Sequence, residues 1–467
     1  MANRRVLIIT DSFPPAGGGA VQRIVGFCKY LPSLGWKPLI LTLRDDLYRT
    51  YDYSLVENVK GIEVFKTFSL DVDSLKTLIF RRQKPALSKV EGTEDRSLPL
   101  QTVSRGQKSK TNPQILKLNW LKSFMDRYIF IPDPKSGWLP FAILKGIKIV
   151  RDRKPDVIFA VYPYTTSLLI GYILHKFFKI PIVLDMHDTW TLYPEWLIGV
   201  KGSSPLLKIR QRLEETMLKL IFNSSSAIIT NTEYMKNMYI KRYPSINPSK
   251  YVTINNGYDP DDFVGIENEN DRFKIQDSKF KIIFSGRYYR HHYPLYFLKG
   301  LNWIINKYPD IRNEISAIFM GSFGKENEYI VKKMGLEDII TIIEYLPYKE
   351  NLKILSNADL FLITLIPPSD FNGYRIPSKV PEYLYLKKPI LAIIPDGELK
   401  QLIEKLKAGI VVEPADIEGI GNAIYELYNR YKNNSLNVLL DEESVKKFDY
   451  KILSKKMADV LLSVIAA

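Results

Sequence analysis

Two series of short apolar runs alternate with stretches of helical periodicity along this chain, and one polar, turn-rich segment separates them. In the first series residues 6–10, 38–43, 157–161, 181–185, 227–230 and 251–254 read as buried strands. In the second, residues 282–284, 316–320, 340–343, 360–365, 390–394 and 409–412 read the same way. Helical spacing fills the gaps, as in the run Val21, Ile24, Val25, Cys28 and Leu31, which Gly35 closes. Strands that alternate with helices build parallel sheets, because a crossover helix must return the chain to the same edge. Two such series joined once predict two doubly wound, Rossmann-like α/β domains, with ligands at the carboxyl ends of the strands and facing an interdomain cleft.

The segment from Asn255 through Asn256, Gly257, Tyr258, Asp259 and Pro260 is rich in turn formers, and polar residues continue to about Lys279. The expected division is therefore a first domain at 1–257, a linker at 258–279, a second domain at 280–445, and a C-terminal helix within 446–467 that packs back toward the first. Residues 83–113 are polar and aperiodic and read as a flexible, basic insertion. Residues 76–122 hold eleven Lys/Arg and three Asp/Glu, about half of the whole chain's net charge of +15. That charge suits an anionic membrane surface, or solvent alone. Nucleic acid is not expected, because no recognition motif or basic–aromatic interleaving accompanies it.

Residues 157–174 carry no charge over nearly the length of a membrane span, but Pro163 and the run Tyr164, Thr165, Thr166, Ser167 break it into a strand and a capped helix. The first ten residues are too short an apolar stretch for a signal peptide. The single cysteine, Cys28, lies on the apolar face of a helix and fits a packing role in a reducing compartment. A cytoplasmic protein is expected, with peripheral attachment at the inner face of the cell membrane.

Four places carry residues suited to chemistry. Gly17, Gly18 and Gly19 follow the first strand and open a helix, so backbone there can approach a phosphate or sugar. A plain tight turn would also explain them. His187 and Asp188 lie just past a strand end, where a parallel sheet places its functional groups. Arg287 follows the first strand of the second series, with Arg290, His291 and His292 close behind, cations that could neutralise a departing diphosphate. Last comes Y-R-I-P-S-K-V-P-E-Y from Tyr374 to Tyr383, in which Arg375, Ser378, Lys379, Val380 and Glu382 sit where a loop turns into a helix. Free backbone N–H groups at such a junction suit a diphosphate, and Glu382 could accept hydrogen bonds from paired sugar hydroxyls.

Taken in order, the glycine loop, the H-D segment, N-N-G-Y-D, the G-R loop and P-S-K-V-P-E-Y resemble the retaining glycosyltransferases of family 4, which have the GT-B architecture. The resemblance implies transfer of a sugar from a nucleoside-diphosphate sugar to a hydroxyl of a glycan or lipid-linked acceptor, in surface polysaccharide or lipopolysaccharide synthesis. It implies retention of anomeric configuration, with a leaving-group oxygen taking the acceptor's proton. By this resemblance His187, Asp188 and Arg287 are catalytic, and Gly18, Gly19, Arg287, Arg290, Arg375, Ser378, Lys379, Val380 and Glu382 bind the donor. Glu382 takes the ribose hydroxyls, and the basic partner of Arg287 is Arg290, His291 or His292. The family pattern also has a glutamate eight residues before Glu382, where this chain has Tyr374. Without H-E-x-x-H or paired C-x-x-C, neither a metal nor a further cofactor is expected. A nucleotide-sugar epimerase of the same fold and a non-catalytic nucleotide- or carbohydrate-binding protein remain as alternatives.

Overall fold

The computed structural model describes residues 4–48, 50–71, 130–188, 205–266, 279–288, 294–365 and 376–466. By their contacts these residues form two compact units. Residues up to 256 together with 450–466 make the first, and 257–449 the second. The expected insertion at 83–113 lies outside the described residues.

The first unit begins with β1 (Arg4–Ile9), α1 (Gly19–Tyr30), β2 (Trp36–Leu43) and β3 (Glu63–Thr67). It continues through α2 (Leu139–Arg153), β4 (Val157–Val161), α3 (Thr165–Phe178), β5 (Ile182–Met186), α4 (Pro205–Ser224), β6 (Ala227–Thr230), α5 (Glu233–Arg242) and β7 (Tyr251–Thr253). Its seven strands run in the order β3-β2-β1-β4-β5-β6-β7, each pair parallel. Val6 to Ile9, all of β4 and all of β5 are buried, because helices cover both faces of the sheet. The apparent membrane stretch thus resolves into β4 and α3. Among the described residues, no helix is long and apolar enough to cross a membrane.

The second unit comprises β8 (Phe280–Ser285), α6 (Leu295–Lys307), β9 (Ile315–Met320), α7 (Lys325–Lys333), β10 (Ile340–Ile343), α8 (Tyr348–Ser356) and β11 (Leu360–Thr364). Then come α9 (Val380–Tyr385), β12 (Ile390–Ile393), α10 (Glu398–Leu406), β13 (Gly409–Val412), α11 (Ile417–Lys432) and α12 (Glu442–Lys446). The six strands run β10-β9-β8-β11-β12-β13, again all parallel. Each sheet reverses its winding at one place, between β1 and β4 in the first and between β8 and β11 in the second. Such reversals leave a crevice beyond the strand ends.

Two features depart from the sequence reading. β3 was not anticipated: its E-V-F-K-T run alternates weakly and only Thr67 is buried, as befits a sheet edge. Residues 258–266, expected as linker, pack within the second unit. There Tyr258 donates its N–H to Phe448 O (2.9 Å), and its ring lies 4.5 Å from that of Tyr385. The last helix, α13 (Tyr450–Ala466), belongs to the first unit. Tyr450 sets its ring edge-on to Phe27 at 5.8 Å and occupies the space a Cβ at Gly26 would need, so glycine there permits the close approach of α1 and α13.

Candidate functional site

In the second unit the residues singled out by sequence gather behind β8 and β11, the two strands that flank the reversal of winding. β8 ends at Ser285, and the chain leaves it through Gly286 at φ +144°, a conformation open to glycine but rarely to other residues. A Cβ on Gly321, at φ +110°, would overlap the Gly286 carbonyl oxygen, so the turn after β8 and the turn after β9 need glycine face to face. Arg287 follows, exposed.

Helix α9 is locked onto this turn. The Tyr383 ring stacks on Phe361 of β11 at 3.9 Å, and its hydroxyl accepts the Ser285 N–H (3.2 Å). Ser285 donates its own hydroxyl to Asn351 Oδ1 (2.8 Å). From the residue that precedes α9, the Lys379 ammonium donates to Ser285 O (2.7 Å) and lies 3.5 Å from the centre of the Phe284 ring. Burial pushes the Lys379 ammonium down to about 7, against the pull of Glu382. Glu382 is 5% exposed, and burial pushes its carboxyl up to about 8, although a hydrogen bond from Tyr348 and the charge of Lys379 oppose the rise. Both charged forms are thus disfavoured by desolvation.

The structure corrects one part of the sequence argument. Helix α9 has only six residues, too few for a strong terminal dipole, and the Val380 N–H is taken by Pro377 O (3.0 Å) with its side chain fully buried. Val380 therefore packs the helix rather than offering a donor, and the positive charge at this place is that of Lys379. Ser378 is half-buried beside it. Arg290, His291, His292, Tyr374 and Arg375 lie outside the described residues.

In the first unit the glycine loop is held by backbone. Gly17 N donates to Thr50 O (3.1 Å), Asp52 N to Pro15 O (2.7 Å), and Gly18 O accepts from Val21 N (3.0 Å) and Gln22 N (3.2 Å) to start α1. Gly18 sits at φ +122° with nothing near a Cβ, so its need for glycine is conformational rather than spatial. Gly19 is the first residue of α1.

His187 and Asp188 follow β5, both half-buried. His187 Nδ1 lies 3.3 Å from Asp185 Oδ2. Asp185 is in turn clasped by Arg23 of α1, Nε to Oδ2 at 3.0 Å and Nη2 to Oδ1 at 2.9 Å, with both side chains wholly buried. The remaining Arg23 donors reach Ile254 O (2.9 Å), Asn255 O (2.8 Å) and Asn256 Oδ1 (3.3 Å). Burial would raise the Asp185 carboxyl, but Arg23 and His187 outweigh it and hold it well below the usual carboxylate range. Nearby, burial raises Asp11, which accepts from the Ser12 hydroxyl (2.8 Å) and feels the charges of Lys135 and His187. Lys135 is paired with buried Asp71 at 3.3 Å.

Sequence reading passed over Arg23, Asp11, Lys135, Ser285 and Tyr348. Two signals were available: an arginine on the apolar face of α1, and an aspartate at the end of an otherwise apolar β5. Each calls for a partner when buried, but neither says that the partner is 162 residues away.

A family model described as Glycosyltransferase Family 4 matches residues 121–262, and one described as Glycosyl transferases group 1 matches residues 279–430. A protein named as the colanic acid biosynthesis glycosyltransferase WcaL of Salmonella typhimurium is 22% identical over 148 residues, which are 31% of this chain and 36% of that relative. Among solved structures, sucrose-phosphate synthase of Thermosynechococcus elongatus aligns over 99% of both chains at 14% identity with a TM-score of 0.64. The N-terminal domain of trehalose-6-phosphate phosphatase of Candida albicans aligns over 99% of this chain and 97% of that one, at 16% identity and a TM-score of 0.58. UDP-GlcNAc 2-epimerase of Neisseria meningitidis, solved with UDP-GlcNAc, aligns over 98% of this chain and 100% of that one, at 15% identity and a TM-score of 0.52. At such identities these structures speak for the fold alone. With a family model on each parallel-sheet unit and solved neighbours that span the whole chain, the fold is GT-B and the chain belongs to the family 4, group 1 glycosyltransferases.

Proposed function

We propose that this protein transfers a sugar from a nucleoside-diphosphate sugar to a hydroxyl of a glycan or lipid-linked acceptor, with retention at the anomeric carbon and without a metal. The observation that carries the reading is the pair Lys379 and Glu382 beside the turn after β8, both held in forms that a ligand would change. A diphosphate brings negative charge to Lys379, and vicinal ribose hydroxyls bring donors to Glu382; each offsets the desolvation that now opposes ionisation. Arg287 supplies a second cation for the leaving diphosphate, and Gly18 and Gly19 let backbone approach donor and acceptor. His187, steadied by Asp185, and Asp188 stand beside the reacting carbon. The acceptor's proton passes to the leaving phosphate oxygen. The WcaL likeness supports a role in surface polysaccharide synthesis.

Binding of UDP, GDP, ADP and CMP and of their sugar conjugates, followed by thermal shift in wild type and Glu382→Ala, tests the donor site. One nucleoside diphosphate should stabilise the wild type and leave the variant unmoved. Stabilisation by none of them sinks the reading. The replacement of the first family glutamate by Tyr374 favours a second reading, epimerisation of a nucleotide sugar. NMR of the bound donor without acceptor separates the two: an epimerised sugar on the intact nucleotide supports the second, and sugar release only on adding acceptor supports the first.

A further inference from the structure

Helix α4 buries one side and leaves another uncovered. Arg210, Leu218, Ile221 and Phe222 face inward, between 0 and 3% exposed. Ile209, Leu213 and Leu220 are 52%, 48% and 52% exposed. At 100° per residue these three fall within an arc of roughly 40°. Among the described residues, no other α-helix carries more than one exposed large apolar side chain. Exposed Lys208, Arg212 and Lys219 form a second stripe along one border of the apolar one. The two acidic residues of the helix are engaged elsewhere, Glu214 with Arg210 at 2.9 Å and Glu215 with Arg242 of α5 at 2.8 Å.

We infer that this face of α4 docks on an anionic lipid bilayer. An apolar stripe bordered by cations matches a surface that offers hydrocarbon just beneath phosphate. A second copy of the chain is a poor match, since an antiparallel two-fold contact would set Lys208, Arg212 and Lys219 against their own kind, and the acidic residues of the helix are already engaged by arginines. The inference stands on the geometry of α4 and does not depend on the transfer reaction.

Flotation of the full chain with phosphatidylcholine vesicles, and with vesicles that also hold phosphatidylglycerol, tests it at low and high salt. The wild type should float with the anionic vesicles and less so in high salt. Leu213→Ser with Leu220→Ser should lower partitioning on the order of tenfold or more, through the lost apolar burial. Lys208→Gln with Lys219→Gln should lower it on the order of tenfold on anionic vesicles alone. The substituted side chains are exposed, so melting temperatures should not move, which separates loss of docking from loss of fold. Three results overturn the inference: a wild type that stays with the unbound fraction, binding undiminished in the leucine variant, or a wild-type dimer that the leucine variant dissociates in light scattering.

Discussion

The two units solve the same electrostatic problem in opposite ways. Behind β5, Arg23 and Asp185 are wholly buried, yet every Arg23 nitrogen meets an acceptor and the carboxylate is held in its charged form. Behind β8, Lys379 and Glu382 are also desolvated, but neither charge is fully compensated, and both are pushed toward neutrality. A saturated ion pair fixes geometry. An under-compensated one stores a cost that a charged, hydroxyl-bearing ligand can relieve. The first arrangement orients the chain around His187; the second is suited to binding.

The largest expected effect breaks the saturated side. Asp185→Asn leaves the Arg23 guanidinium buried without its counter-charge and should cost about 3–5 kcal/mol in chemical denaturation. Because the Asp185 carboxyl is held below its unfolded value, its contribution is present above about pH 4 and is lost as the pH falls through the folded value. The acid limb of the stability curve should therefore flatten in the variant. An unchanged acid limb would show that the pair does not carry it.

Next, Lys379→Met should leave stability near that of wild type while lowering kcat/KM about 10²–10³-fold, the scale of one lost charge-stabilising donor. A variant that unfolds rather than losing donor binding would make Lys379 a structural prop through Ser285 O. Glu382→Gln sharpens the same contrast through pH. The folded carboxyl stays protonated to about 8 whereas an unfolded one ionises near the usual 4.5, so the wild type loses stability as the pH rises across that window. Glutamine removes this loss. Relative to wild type the variant should gain on the order of 4 kcal/mol between pH 5 and pH 9, read from paired urea titrations. The smallest effect is Gly18→Ala, which forces a side chain into φ +122° and should cost about 1–3 kcal/mol, with a weakened donor affinity if the loop shifts.

The sequence disclosed the two-sheet plan because period and burial are local properties. Val6 to Ile9 and the whole of β4 announce themselves by composition. β3 escaped because an edge strand needs only one covered side and its E-V-F-K-T run is half polar. Position in a motif singled out Lys379 and Glu382, but not their under-compensation, which arises from burial: Lys379 lies over the Phe284 ring, and desolvation of Glu382 outweighs the hydrogen bond from Tyr348. Likewise nothing near His187 in sequence points to Arg23, and only the sheet brings them within reach of Asp185.

The placement of α13 has a consequence for how the chain is made. The first unit is not finished when ribosomal synthesis has passed residue 256; it still lacks the helix whose Tyr450 fills the space beside Gly26. The second unit, 257–449, is contiguous and has all its residues earlier. During biosynthesis, then, the first unit is completed after the second, and the surface of α1 around Gly26 and Phe27 stays uncovered until α13 has been made. A stop codon shortly before residue 450 would spare the second unit and strand the first with an open hydrophobic seam, a ready target for chaperones and proteases.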